Sequence, residues 1–130
     1  MDANEGEIGL FSCTLGLHDQ VMIIWANGHL DLTVTRRFRE STWEALALFS
    51  PPRLVISLEN LVSCDPAGLG VLIGANRRAV ELGGVLVLST PNWQLAQLLS
   101  VTRLDRRFRI RADITDAVTE AADFSAPGTQ

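Results

Sequence analysis

Asp65-Pro66-Ala67-Gly68-Leu69-Gly70-Val71-Leu72 is the stretch that decides how this chain folds. It opens an apolar-periodic segment that runs to Leu82. Asp65 can cap a helix by accepting a hydrogen bond from the unpaired backbone N–H groups of the first turn. Pro66 suits the first helical position, where its missing N–H removes no bond. Leu69, Leu72, Ile73, Ala75, Asn76, Ala79 and Val80 include the predicted buried stripe, with Arg77, Arg78 and Glu81 on the other side. Gly83-Gly84 ends the helix, because glycine takes a positive φ at no steric cost. Gly68 is entropically unfavourable so early in a helix. Its presence marks a close approach of another backbone, either within the molecule or from a docked partner.

Buried strands are predicted on both sides of this helix. Leu54 to Leu58 precedes it and Val85 to Leu88 follows it, both nearly continuous apolar runs. Val21 to Ala26 has the same character. Ile8 to Leu17 instead alternates, with Phe11, Cys13, Leu15 and Leu17 on one side. The short break His18-Asp19-Gln20 makes these first two strands a hairpin. Asn27-Gly28-His29-Leu30-Asp31 interrupts the strand pattern. A helix carrying Phe38, Trp43, Leu46, Ala47 and Phe49 follows, with Thr42 between its faces, and Pro51-Pro52 blocks it. Pro91-Asn92 begins a short helix with Leu95, Leu98 and Leu99 inward, and Trp93 near its start is expected to pack. Phe108 and Ile110 mark a short last strand, and Asp113 to Ala122 a last helix.

Buried strands alternating with amphipathic helices predict an α/β fold: a small, largely parallel sheet with an N-terminal hairpin and about four helices, mainly on one side. One domain is expected over residues 8–122, with 1–7 and 123–130 as flexible termini. The 130 residues, 47% of them apolar, suffice for one core and are too few for two ordinary domains. No apolar run approaches the roughly 20 residues of a membrane span. The acidic start Met1-Asp2-Ala3-Asn4-Glu5-Gly6-Glu7 lacks the basic and apolar regions of a secretory signal, so a cytoplasmic location is expected.

The net charge is −4, and every basic residue is an arginine. Five arginines fall between Arg103 and Arg111, around Asp105. In an acidic chain they read as a solvated edge or a partner-docking patch rather than a nucleic-acid surface. Cys13 and Cys64 fit no metal spacing and no redox Cys-x-x-Cys pair, and read as separate thiols.

Catalytic constellations are missing from the sequence. His18 and His29 fall in a turn and a loop, with no partners at zinc-ligand spacing. There is no Gly-x-Gly-x-x-Gly and no phosphate-binding Gly-x-x-x-x-Gly-Lys-Ser/Thr. Without lysine there can be no lysine phosphate clamp or Schiff base. Asp31 and Asp65 become a carboxylate pair if their loops meet, but Asp65 already serves as a cap. Neither an enzyme nor a cofactor or metal is expected.

Three stretches together resemble the STAS domain family, and within it the anti-sigma factor antagonists of bacterial partner-switching pathways. Gly28-His29-Leu30-Asp31 resembles the family's Gly-x-Leu-Asp loop. Asp65 to Leu72 resembles its Asp-Ser-Ser/Thr/Ala-Gly-Leu-Gly motif. Leu104-Asp105-Arg106-Arg107-Phe108 resembles its Gly-Leu-x-x-x-Phe segment, with Arg103 where glycine is usual. The resemblance covers about residues 10 to 122 in order and spacing.

The resemblance implies a non-catalytic protein that binds an anti-sigma factor of serine-kinase, ATPase-like fold and thereby releases a sigma factor. It implies a partner surface at Asp31, Asp65, Pro66, Ala67, Gly68 and Leu69. It also exposes a departure. The family's phosphorylatable serine is replaced by Pro66, which has no hydroxyl, and Ala67 cannot substitute for it. The nearest hydroxyls are Ser57 and Ser63, and Ser63 lies before the cap rather than in the first turn. Cys64, beside the motif, is a candidate redox input. The alternatives are a STAS adaptor docking on another partner, such as a lipid-transport ATPase, and a ligand- or redox-sensing STAS domain. The sequence does not specify whether the chain self-associates.

Overall fold

The computed structural model describes residues 10–89 and 91–125. The expected strand start at Ile8, the expected loose residues 1–7 and the end of the tail lie outside them. Strands β1 (Ser12–His18) and β2 (Val21–Leu30) form the hairpin. Helix α1 (Thr35–Ala47), strands β3 (Arg53–Ser57) and β4 (Leu61–Cys64), and helix α2 (Pro66–Glu81) follow. The chain continues through β5 (Val85–Ser89), α3 (Trp93–Val101), a short 3-10 turn at Leu104–Arg106, β6 (Arg109–Arg111) and α4 (Ile114–Asp123).

The sheet order is β1-β2-β3-β5-β6. β1 is antiparallel to β2 and every other pairing is parallel. Successive side chains of a strand point to opposite faces. Met22, Ile24 and Ala26 of β2 therefore enter a main core with Phe38, Leu46, Leu72, Leu95 and Leu99 from α1, α2 and α3. Val21 and Ile23 enter a smaller core on the other face with Val55, Val87, Ala117 and Ala121, covered by α4. Three helices on one face and one on the other is the asymmetry expected from the sequence.

Four details correct the sequence reading. First, Leu15 and Leu17 are exposed, because β1 is the edge strand and the helices pack over the inner strands. Second, Val80 is exposed, since the position after Ala79 turns about 100° away from the buried line of a helix. Third, Ala45 rather than Ala47 is buried on α1, and the buried Thr42 hydroxyl donates to the Phe38 carbonyl. Fourth, the body extends past residue 122: α4 runs to Asp123, and Phe124 packs against the smaller core.

The arginines near the end of the chain fasten α4. Arg109 pairs with Glu120 at 3.0 Å, and Arg111 pairs with the other oxygen of that carboxylate. Arg53 donates through Nη1 to the carbonyls of Ala121, Ala122 and Phe124 at the C-terminal end of the helix. A cation there satisfies carbonyls that have no partner within the helix and complements its dipole.

Candidate functional site

The Gly28-His29-Leu30-Asp31 stretch is not the interruption that the sequence indicated. β2 continues to Leu30, with a new partner. Its first part pairs with β3, and from Gly28 onward it pairs with β4. Gly28 makes the change, with φ at 93° and a register shift between it and His29. Glycine is the residue that takes this backbone conformation without strain. After the shift, His29 lies beside Ser63 and Leu30 beside Cys64. β4 itself escaped the sequence reading. Its signal was the short apolar stretch Leu61-Val62 directly after the polar Glu59-Asn60.

Asp65 then ties the two motif loops together. Its N–H donates to the Leu30 carbonyl at 3.1 Å. Its Oδ1 accepts from the Gly68 N–H at 3.0 Å, the predicted helix cap. Its Oδ2 accepts from the Leu32 N–H at 3.0 Å, in the loop after β2. Both carboxylate oxygens are thus committed to structure. Asp31 builds the other side of the junction. Its Oδ1 accepts from the Thr33 hydroxyl at 2.6 Å and the Thr33 N–H at 2.9 Å. The Thr33 hydroxyl, more than any other neighbour, holds the Asp31 carboxyl below its ordinary range, so it stays charged at neutral pH.

Pro66 occupies the first position of α2 and is exposed, and Ala67 is half-buried. Gly68 and Leu69 are buried. A Cβ on Gly68 would lie 2.6 Å from Leu30 Cγ and 2.8 Å from the Leu30 carbonyl oxygen. The close approach expected at Gly68 is therefore internal, and Gly68 and Leu69, which the resemblance assigns to a partner surface, are buried. Leu32 is 73% exposed at the tip of the loop held by Asp65, and the sequence reading missed it. Trp93, expected to pack, is 72% exposed. Beside Ser63, β4 and α3 enclose a groove of about 150 Å³ lined by Leu61, Cys64, Asn92 and Leu95. Small-molecule sites occupy roughly 300–1,000 Å³. Among the described residues, no cluster of three or more His, Cys, Asp or Glu is placed to hold a metal ion. Among them, too, no helix is long and apolar enough to cross a membrane.

A family model of the STAS domain matches residues 14–117, most of the chain. The protein belongs to the STAS domain family. An anti-sigma F factor antagonist of Paenibacillus polymyxa is 29% identical over 103 residues, covering 79% of this chain and 88% of that one. The crystal structure of a Thermotoga maritima protein named as an anti-sigma factor antagonist superposes with a TM-score of 0.78 at 25% identity, over 85% of this chain and 94% of that one. An anti-sigma factor antagonist of Mycobacterium paratuberculosis shares the fold, with a TM-score of 0.73 at 23% identity over 87% of this chain and 95% of that one.

Two properties of this STAS domain follow from the junction. Asp65→Ala removes the cap and the Leu32 acceptor, and a loss of about 1–2 kcal/mol is expected in urea unfolding. Asp65→Asn keeps an oxygen for Gly68 but offers Leu32 an NH₂ group, so an intermediate loss is expected. The cysteines give the second property. Burial pushes the Cys64 thiol up to about 12, with Asp65 adding to the shift, and burial pushes Cys13 up to about 11. The folded state thus holds these protons more tightly than the unfolded chain, whose thiols titrate near 9.0. Their stabilising contribution is complete below that value and is lost as pH rises from there through about 11 to 12. Denaturant titrations in that window should show the alkaline loss shrink in Cys13→Ser and Cys64→Ser. A thiol protonated at neutral pH is also a slow redox nucleophile.

Proposed function

We infer that this STAS domain is a non-catalytic regulator that binds a kinase-type anti-sigma factor and so frees a sigma factor, with no phosphorylation at the usual position. The observation that carries this reading is the platform, exposed at Leu32 and Pro66, formed where Asp65 binds the Asp31 loop to the start of α2. Asp31, Leu32, Asp65, Pro66 and Ala67 present both family motifs side by side. Binding, rather than turnover, suits a site whose Asp65 oxygens are both committed to backbone N–H groups.

Pro66 gives the reading its particular form. In the partner-switching scheme, phosphate on a serine at this position would place nearly two negative charges beside Asp65 and drive the partner off. Pro66 starts the helix equally well and cannot receive phosphate. The test is native mass spectrometry with each kinase-type anti-sigma factor of the same genome in Mg-ATP. A stable complex is expected with one of them. Lack of a complex with every one would overturn the reading and leave an adaptor role on another partner, such as a transport ATPase.

A further inference from the structure

We propose that Ser63 is a displaced phosphoacceptor, which returns to this domain the switch that Pro66 removes from the usual position. The proposal rests on the partner reading above and supplies its regulation. Ser63 is exposed on β4, and its Oγ lies 2.6 Å from Nδ1 of His29 on the adjoining strand. Ser63 stands two residues before Asp65, and His29 two residues before Asp31, where the two strands run into the junction. The register shift at Gly28 is what brings His29 beside Ser63.

Other hydroxyls near the platform are less available. The Thr33 hydroxyl donates to Asp31 and the Thr35 hydroxyl to the Leu32 carbonyl. Ser57 and Ser89 are buried. Ser63 combines exposure with a partner able to take its proton: with the ring proton on Nε2, Nδ1 accepts from the hydroxyl. A nucleophile and a base within about 2.6–3.2 Å is the arrangement that readies a hydroxyl for attack.

The co-reactant is ATP held by the kinase partner. Ser63 Oγ attacks the γ-phosphorus, and the Oγ–P bond forms as the bond to the β,γ-bridging oxygen breaks. That electron pair leaves with ADP. The hydroxyl proton passes to Nδ1 of His29, whose resulting positive charge faces the new phosphate. The phosphate brings a charge of about −1.5 to −2 to a position two residues from Asp65, at the edge of the junction. The partner then faces a surface with far greater negative charge, and it dissociates.

The test incubates the protein with the same anti-sigma factors and Mg-ATP, and reads complex formation, added phosphate and its position by intact and peptide mass. The variants are Ser63→Ala, His29→Leu, His29→Asn and Pro66→Ser, each checked for an unchanged circular dichroism spectrum. The proposal expects phosphate on Ser63, no phosphate in Ser63→Ala, and partner affinity at least tenfold weaker after phosphorylation. His29→Leu and His29→Asn are both expected to slow transfer about tenfold, because the Asn side-chain oxygen can accept a hydrogen bond from Ser63 but cannot take its proton. A complex that adds no phosphate, or adds it away from Ser63, overturns the proposal and leaves the antagonist reading standing. Phosphate on Pro66→Ser with none on the wild-type protein does the same, since the kinase is then active and ignores Ser63. Lack of a complex with any of them overturns both.

Discussion

Gly28→Ala should destabilise the domain by about 3 kcal/mol or more, the largest loss expected of any single methyl group in the motif regions. Two costs act together. The residue keeps φ at 93°, which an alanine adopts only under strain. The added Cβ would also lie 2.1 Å from the Leu10 carbonyl oxygen, which is backbone and cannot rotate aside. Relief requires the hairpin to shift or the register change to be lost. Either movement separates His29 from Ser63 and displaces the Asp31 loop. Partner binding should therefore fall with stability. Urea unfolding measures the first effect and native mass spectrometry the second. An alanine variant as stable as the wild type would mean that the β2–β4 pairing does not depend on the glycine.

The second large effect separates two glycines of one motif. Gly68→Ala pushes a methyl group to 2.6 Å from Leu30 Cγ and 2.8 Å from the Leu30 carbonyl oxygen. That carbonyl already accepts from Asp65, so it cannot retreat without breaking the junction. A loss of about 2–3 kcal/mol is expected, in the range of overpacked cores. Gly70→Ala, two positions on in the same helix, meets no atom within 4 Å. It should stabilise by about 0.5–1 kcal/mol, because alanine loses less backbone entropy in a helix than glycine. Opposite signs from one methyl group in the same turn would show that contact, rather than composition, fixes Gly68. Equal effects would show the reverse.

The elements legible in the sequence were those with strong local signals. Asp65 and Pro66 announced the start of α2 and Gly83 its end, each through backbone chemistry confined to a few residues. The inner strands announced themselves as unbroken apolar runs, because both of their faces are covered. The second half of β2 did not. Asn27 and Gly28 read locally as an interruption of the strand, and only pairing with a distant segment makes them strand. β4 was missed for the same reason, since Leu61 to Cys64 is too short to show a period. Of the candidate site, the importance of Asp31 and Asp65 was legible, but not the two hydrogen bonds, from Asp65 N–H to the Leu30 carbonyl and from Leu32 N–H to the Asp65 carboxylate, that join their loops. Gly68 was visible as a costly residue without a visible cause; the cause is Leu30, far away in sequence. Leu32, Trp93 and the pairing of His29 with Ser63 depend wholly on tertiary position, and nothing local encodes them.

The two faces of the sheet are held together in different ways. Three helices are sealed to one face by a large apolar core, whereas α4 covers a smaller one, with Ile114, Ala117, Val118 and Ala121 against Ile23 and the strand valines, and with arginine contacts at its edge. Two of the arginines reach into solvent: Arg109 and Arg111 keep 51% and 48% of their side-chain surface exposed, their partner Glu120 14%. Dissolved salt weakens such pairs and barely touches the apolar core. The molecule is therefore a laminate whose outer ply is held by a small apolar core and, at its edge, by charge. Under rising ionic strength α4 should loosen first, with faster amide exchange there, while the junction of Asp31 and Asp65 stays whole.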